Sequence, residues 1–386
     1  MTETVVLDQV RQEEARRYST ASRRWMVVES LTTLFLLLLF LFSGTSARLA
    51  GWSERTSSGT PWLTVALYGA MLFLGYTLLS VAFGYLGSFR LAHHYGMSNQ
   101  NLASWATDQT KGALLTALVA GVMGEIIYVL LRWQPDWWWL LAALFLLFFT
   151  VLMGQLAPIL ILPLFYKLSP LEDEALRLRL ERLGEKAGTH VEGIYTIHLS
   201  AKSQAANALV MGLGKTRRIA LGDTLYRDFS HDEIEAIFAH ELGHHVHGDV
   251  PKLIAVQSLL TLGGLWLADG FLRWGVARLG FASIADIGAF PLFLLAMALF
   301  FLLTMPLSNG FSRWRERLAD RYALESMEEG ESLVRVMTRL ANQNLAEVDP
   351  PRWVVWFLHS HPPLKERIEA AYRFGASRVP APIESW

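Results

Sequence analysis

Cysteine is absent from the 386 residues, which excludes disulfides, thiolate metal sites and cysteine nucleophiles together. Any metal must sit on His, Asp or Glu. Charge is also scarce: 18% of residues are charged and they balance to a net charge of -1, so no basic excess points to nucleic acid. Apolar side chains fill the space instead. Hydrophobic residues make up 52% of the chain and mean hydropathy is +0.29, a balance foreign to water-soluble domains of this length.

About six apolar stretches are long enough to cross a hydrocarbon layer of roughly 30 Å, which takes roughly 20 helical residues. They run Trp25 to Phe42, Pro61 to Phe89, Gly112 to Leu131, Trp137 to Phe165, Leu253 to Leu272 and Ile287 to Leu307. The second and fourth exceed one crossing, so tilting, or kinking at Pro158 and Pro163, is expected. The first follows an arginine-bearing polar segment without a small-residue cleavage site, and reads as a retained helix. No internal repeat stands out.

The chain divides into residues 1–165, a tail and four spans; 166–251, polar; 252–310, two spans; and 311–386, polar. Arginines crowd the first tail (Arg11, Arg16, Arg17, Arg23, Arg24) and both polar segments, which places all three on the cytoplasmic side. Two spans between the polar segments return the chain to one side, so both can build a single site. Within 166–251, Gly193–Leu199 and Arg218–Leu221 read as strands, with Gly212–Lys215 as turn material. A helix should start at Ser230, where Glu233 completes a capping-box spacing, and stop near Gly248 and Pro251.

That helix carries His240-Glu241-Leu242-Gly243-His244, the H-E-x-x-H arrangement. Residues i and i+4 share a helix face, so two imidazoles reach one ion while the Glu lies beside it. Zn2+ suits this chemistry because three protein ligands leave an open position for a water acidic enough to attack a peptide carbonyl. A chain of this composition would carry the pattern by chance with an expectation of about 0.02. The bland alternative is a solvated His-rich helix end.

The third ligand is not downstream on the same turn, since metzincins need His six residues past the second His and this chain has Val250 there. Ser312 to Asp320 opens the second polar segment and offers Glu316 and Asp320 at i and i+4. One carboxylate can bind metal while the other hydrogen-bonds a ligand imidazole. Alone, such a pair amid arginines is more often a solvated ion-pair face.

Together these motifs resemble the type I CAAX prenyl protease family of integral-membrane zinc metallopeptidases, in the gluzincin clan. The likeness includes Ser98-Asn99-Gln100, Asn207-Ala208 with Gly212 and Gly214, Arg218 to Leu225, His240 to Gly248, Ser312 to Asp320, and His359 to Leu364 through Arg367. It implies His240, His244 and Glu316 as ligands of one Zn2+ per chain, Glu241 as general base, and Asp320 as a further active-site acid. It also departs from the eukaryotic pattern, with six spans against seven; the arginine-heavy, compact chain with short loops suggests a bacterial member, in the inner membrane.

Asn207-Ala208 could lie on a sheet edge where an extended substrate adds as a strand, although a plain turn is the bland reading. His361 precedes two prolines that would present its ring rigidly, for oxyanion stabilisation or protonation of the leaving amine; Arg367 would pair with a site carboxylate. His245, His247, His93 and His94 read as structural or interfacial. Glu125 and Asp269 fall inside expected spans, where an ionisable group usually faces a polar interior.

The expected fold is therefore mainly α: a polytopic helical membrane protein with a small gluzincin-like α/β zinc peptidase portion. The expected partners are the lipid bilayer and a peptide or protein substrate, lipid-modified or membrane-derived, and no nucleic acid. A membrane quality-control metalloprotease without a prenyl requirement would use the same residues. A polytopic transporter or metal-dependent receptor would leave Glu241 without a task.

Overall fold

The structure, a computed structural model, describes residues 5–188, 193–211 and 218–376. The turn expected at Gly212–Lys215 and the glycines Gly212 and Gly214 lie outside them.

Helix α1 (Gln9–Phe42) starts where the Asp8 carboxylate accepts from the Val10 and Arg11 amides. It therefore begins well before the apolar stretch. Its polar first turns dock on distant chain: Gln12 donates to the Ala346 carbonyl and accepts from the Val348 amide. After the short α2 (Thr45–Thr56), α3 (Pro61–Gly84) opens on a proline, whose missing N–H costs nothing at that position. The long second stretch is accommodated by a π-helical turn at Tyr85–Arg90 that leads into α4 (Leu91–His94). Next come α5 (Leu102–Trp133), capped by Asn101, and α6 (Trp138–Leu156). A second π turn at Ala157–Ile161 absorbs Pro158 before α7 (Leu162–Phe165), where the kink was expected.

A four-stranded sheet follows, ordered β1-β2-β4-β3. Its strands are β1 (Leu168–Pro170), β2 (Gly193–Ile197), β3 (Ala208–Met211) and β4 (Arg218–Gly222), with β2 and β4 parallel and the outer pairs antiparallel. Two expected strands are present, and β1 and β3 are additions too short to show alternation. Between β1 and β2, α8 (Glu174–Lys186) lays Leu176, Leu180 and Leu183 into the core at helical spacing. After α9 (Asp223–Asp228) comes α10 (His231–Val246), then α11 (Asp249–Leu279) and α12 (Phe290–Met327). Helices α13 (Glu331–Gln343), α14 (Arg352–Leu358) and α15 (Leu364–Ala376) end the described chain.

Six helical stretches among the described residues are long and apolar enough to cross a membrane. Two cores result. One, around Tyr68, Trp138, Leu265 and Leu272, joins the spans; the other, around Leu180, Ile219, Ile234 and Phe238, joins sheet and site helices. In the first, Asp269 accepts from Trp138 Nε1 at 2.7 Å and from Arg273 Nε at 2.8 Å. Both Glu125 carboxylate oxygens are buried without a hydrogen bond among the described residues.

Helix α12 positions the site most directly. It runs without a break through Pro306 from the sixth apolar stretch to Glu316 and Asp320. The carboxylates thus stand on the rigid extension of a membrane helix rather than on a separate cytoplasmic one.

Candidate active site

The phase of α10 is set at its first turn. Ser230 Oγ accepts from the Glu233 amide at 3.3 Å while Glu233 accepts from the Ser230 amide at 2.8 Å, which is the capping box. Glu233 is buried, and Arg339 of α13 donates to it at 2.9 Å. Two and a half turns on, the rings of His240 and His244 lie 4.8 Å apart on one face, at 85° to each other. At Gly243, on the turn between them, a β-carbon would stand 2.8 Å from the Ala319 Cα and 2.9 Å from the Ala319 carbonyl oxygen. Backbone contact with α12 is what brings the Glu316 carboxylate within reach.

His240 Nε2 is 3.3 Å from Glu316 Oε2, and His244 Nε2 is 3.4 Å from Glu316 Oε1. Donor atoms of the three residues all lie within 4.8 Å of one another. A tetrahedral metal with bonds of about 2.0 to 2.1 Å separates its donors by roughly 3.3 to 3.4 Å, so each contact, one to each Glu316 oxygen, has the length of a coordination edge. Glu316 Oε2 is also buried with no hydrogen-bond partner, a costly arrangement for a carboxylate unless a cation serves it. The residues present fit a metal ion. Burial opposes charge on His240, but its pairing with the Asp320 and Glu316 carboxylates outweighs that and raises the ring to about 9.

Outside this triad, each imidazole rests on a carboxylate through its other nitrogen. Asp320 Oδ1 lies 2.9 Å from His240 Nδ1, and Arg367 grips both oxygens of Asp320, Nε donating to Oδ2 at 2.8 Å and Nη2 to Oδ1 at 2.6 Å. Asp249 Oδ2 lies 2.8 Å from His244 Nδ1, and Arg315 Nε donates to the other Asp249 oxygen at 2.5 Å. Neither Asp249 nor Arg315 was singled out from the sequence. Asp249 is five residues past His244, beyond a glycine, and Arg315 sits in a basic run that resembles a solvated surface, yet both are buried.

Glu241 is half-buried, and its side chain makes no hydrogen bond among the described residues. The Arg367 guanidinium senses its charge. His361 Nε2 stands 3.3 Å from Glu316 Oε1, with its ring mostly exposed and its Nδ1 3.0 Å from Ser360 Oγ. Arg313 supports that loop from α12 by donating to the Val355 and His359 carbonyls at 2.7 and 2.6 Å. His247 is tied to its own helix, with Nδ1 2.7 Å from the Gly243 carbonyl oxygen.

Asn207 precedes the edge strand β3, and Ala208 opens it opposite Leu221. The Asn207 side chain does not project freely, because its Oδ1 accepts from the Ala208 amide at 2.8 Å. Its carbonyl accepts from Gly222, where a β-carbon would come within 2.7 Å of that oxygen. No hydrogen bond among the described residues joins Asn207 to the His240 cluster.

A bundle of apolar spans whose last helix extends into a His-His-Glu cluster defines an integral multi-pass membrane metallopeptidase. Comparison with known proteins agrees along the chain. The model for peptidase family M48 matches residues 170–374, and the model for the CAAX prenyl protease N-terminal region with five membrane helices matches residues 4–167. This chain belongs to peptidase family M48. It is 30% identical to an uncharacterized metalloprotease, YhfN, of Bacillus subtilis, over 92% of this chain and 84% of that one. It is 27% identical to a probable CAAX prenyl protease 1 of Schizosaccharomyces pombe, over 94% of this chain and 80% of that one. The crystal structure of Ste24p from S. mikatae shares the fold, with a TM-score of 0.85, 24% identity, and coverage of 96% and 92%. The protein is thus a membrane metalloendopeptidase resembling CAAX protease type I, and the transporter reading falls.

Proposed function

We propose that this chain is a zinc endopeptidase that holds one Zn2+ through His240, His244 and Glu316 and cuts lipid-modified or membrane-derived peptides on the cytoplasmic side of a bacterial inner membrane. The observation that carries the metal assignment is the Glu316 carboxylate set between the two histidines, Oε2 3.3 Å from His240 Nε2 and Oε1 3.4 Å from His244 Nε2, with the buried Oε2 lacking a hydrogen-bond partner. Bound there, Zn2+ would acidify a water and polarise the scissile carbonyl.

The chain's own residues do the rest. Glu241 takes the proton of the attacking water and passes it to the leaving amine; its lack of competing hydrogen bonds leaves it free for this. His361 offers Nε2 at the exposed mouth of the cluster to the developing oxyanion. Asp320 keeps the His240 ring oriented, with Arg367 as its counter-charge. The edge strand β3 offers its outer backbone, beginning at Ala208, for pairing with an extended peptide, and Asn207 lies at the entrance to that edge. Residues 166–251 and 311–386 build this catalytic portion, and the spans of 252–310 return the chain to the same side. A lipid-modified substrate is supported by the relatives named CAAX prenyl protease 1. The bacterial setting is supported by the Bacillus relative.

Glu241→Gln tests the chemistry. The neutral isostere leaves all three ligands in place, so purified protein should retain zinc while turnover falls about 100-fold to 10,000-fold. Zinc-loaded Glu241→Gln that cleaves peptide at more than about a tenth of the wild-type rate would refute the general-base role. Comparing a farnesylated CAAX peptide with its unprenylated twin separates the substrate readings. Equal kcat/KM would favour quality control of membrane segments.

A further inference from the structure

The two imidazoles are held alike, by a carboxylate on Nδ1 and an arginine on that carboxylate. For His240 the pair is Asp320 and Arg367. For His244 it is Asp249, outside the H-E-x-x-H motif, and Arg315, which lies within the Ser312 to Asp320 segment but was given no role there. This second pair is the more enclosed, with Asp249 1% and Arg315 4% exposed, so water contributes almost nothing to either charge. Arg315 approaches one Asp249 oxygen through both Nε and Nη2, and also donates to the His247 carbonyl at 3.3 Å. The other Asp249 oxygen is left to face His244 Nδ1.

The backbone is shaped for this contact. Gly248 adopts a left-handed conformation, φ 60°, that ends α10 and starts α11 at once, so that Asp249 turns back beneath His244. Arg315 is the neighbour of Glu316 on α12. The pair therefore ties together the helix that carries two candidate ligands, the span that follows it, and the helix that carries the third.

We propose that Asp249 and Arg315 are positioning residues for the metal centre: Asp249 keeps the His244 proton on Nδ1 and so presents the Nε2 lone pair, and Arg315 holds Asp249 in that orientation. The inference rests on the reading that His244 binds the metal. Its physical basis is that an imidazole without an acceptor on Nδ1 is free to rotate and to carry its proton on Nε2, where it cannot ligate.

The test is zinc affinity of the full-length protein in detergent or nanodiscs, measured by competition with a chelator of known affinity. Asp249→Ala should bind Zn2+ about 10-fold to 100-fold more weakly. Because that variant strands a buried arginine, Asp249→Ala/Arg315→Met is measured beside it, since removing both members of a buried ion pair is far milder than removing one. The double variant should melt like wild type in its metal-free form and still show the loss in zinc affinity. Asp249→Asn, which keeps an acceptor oxygen, should show a smaller loss in the same direction, with KM for peptide unchanged in the zinc-saturated enzyme. Wild-type zinc affinity in a folded double variant, or in Asp249→Asn should the double variant not fold, would overturn the proposal. His244→Ala is the control for the underlying reading. If it too binds zinc normally, the metal assignment itself has failed; if it loses zinc while the Asp249 variants do not, only the positioning role has.

Discussion

At the scale of single residues, the site separates groups that would hold a metal from groups that would act beside it. Glu316 supplies the only carboxylate in the His-His-Glu cluster found among the described residues, and His361 approaches it from the exposed side. The consequences of truncation should differ accordingly. Glu316→Ala is expected to lose zinc as isolated, read by elemental analysis, and with it all turnover. His361→Ala should keep its zinc and lose only part of the rate, because removing one oxyanion donor costs about 100-fold to 1,000-fold where the remaining electrostatics persist. Full zinc occupancy in Glu316→Ala, or zinc loss in His361→Ala, would require the ligand set to be redrawn.

At the scale of elements, the contact between α10 and α12 decides whether the two histidines and the glutamate meet. Gly243 permits it by having no side chain at the crossing. Alanine there should gain about 1 kcal/mol from helix propensity. It would also push a methyl group within 2.8 Å of the Ala319 Cα, and backbone cannot swing aside as a flexible side chain can. Overpacking of this kind typically costs about 1 to 3 kcal/mol, so Gly243→Ala should be net destabilised and bind zinc less tightly. Thermal melting of the metal-free protein with a parallel zinc titration checks both. An unchanged melting temperature with unchanged affinity would mean that the helices are free to separate without consequence.

At the scale of the whole molecule, the spans α11 and α12 carry the chain away from the site and back to it. Two membrane crossings separate α10 from the Glu316 end of α12, so the composite site requires that both ends lie on one side. Topology reporters fused at Asp228 and at Arg373 should read the same side, and the arginine distribution predicts that side to be cytoplasmic. Opposite readings would be incompatible with the contacts that join α10 to α12 and the ion pair that joins α12 to α15. The docking of Gln12 near Val348 ties the start of the first span to this assembly, so the first polar turns of α1 should report the same side as well.

The membrane class, the histidine helix and the residue types of the metal cluster were legible in the amino-acid sequence, because each depends on short-range periodicity. About 20 apolar residues reach across a bilayer whatever surrounds them, and residues i and i+4 share a helix face in any context. The capping box at Ser230 and Glu233 was readable for the same reason. Long-range contact decided the rest. Glu316 and Asp320 occupy equivalent turns of one helix, and only the crossing at Gly243 and Ala319 sets which carboxylate lies between the two Nε2 atoms and which lies behind His240. Asp249 and Arg315 look like ordinary polar residues until the left-handed Gly248 folds one chain end beneath His244 and α12 closes over it. Burial converts that pair from a solvated contact into a fixed support, and burial belongs to the packed molecule rather than to any stretch of its sequence.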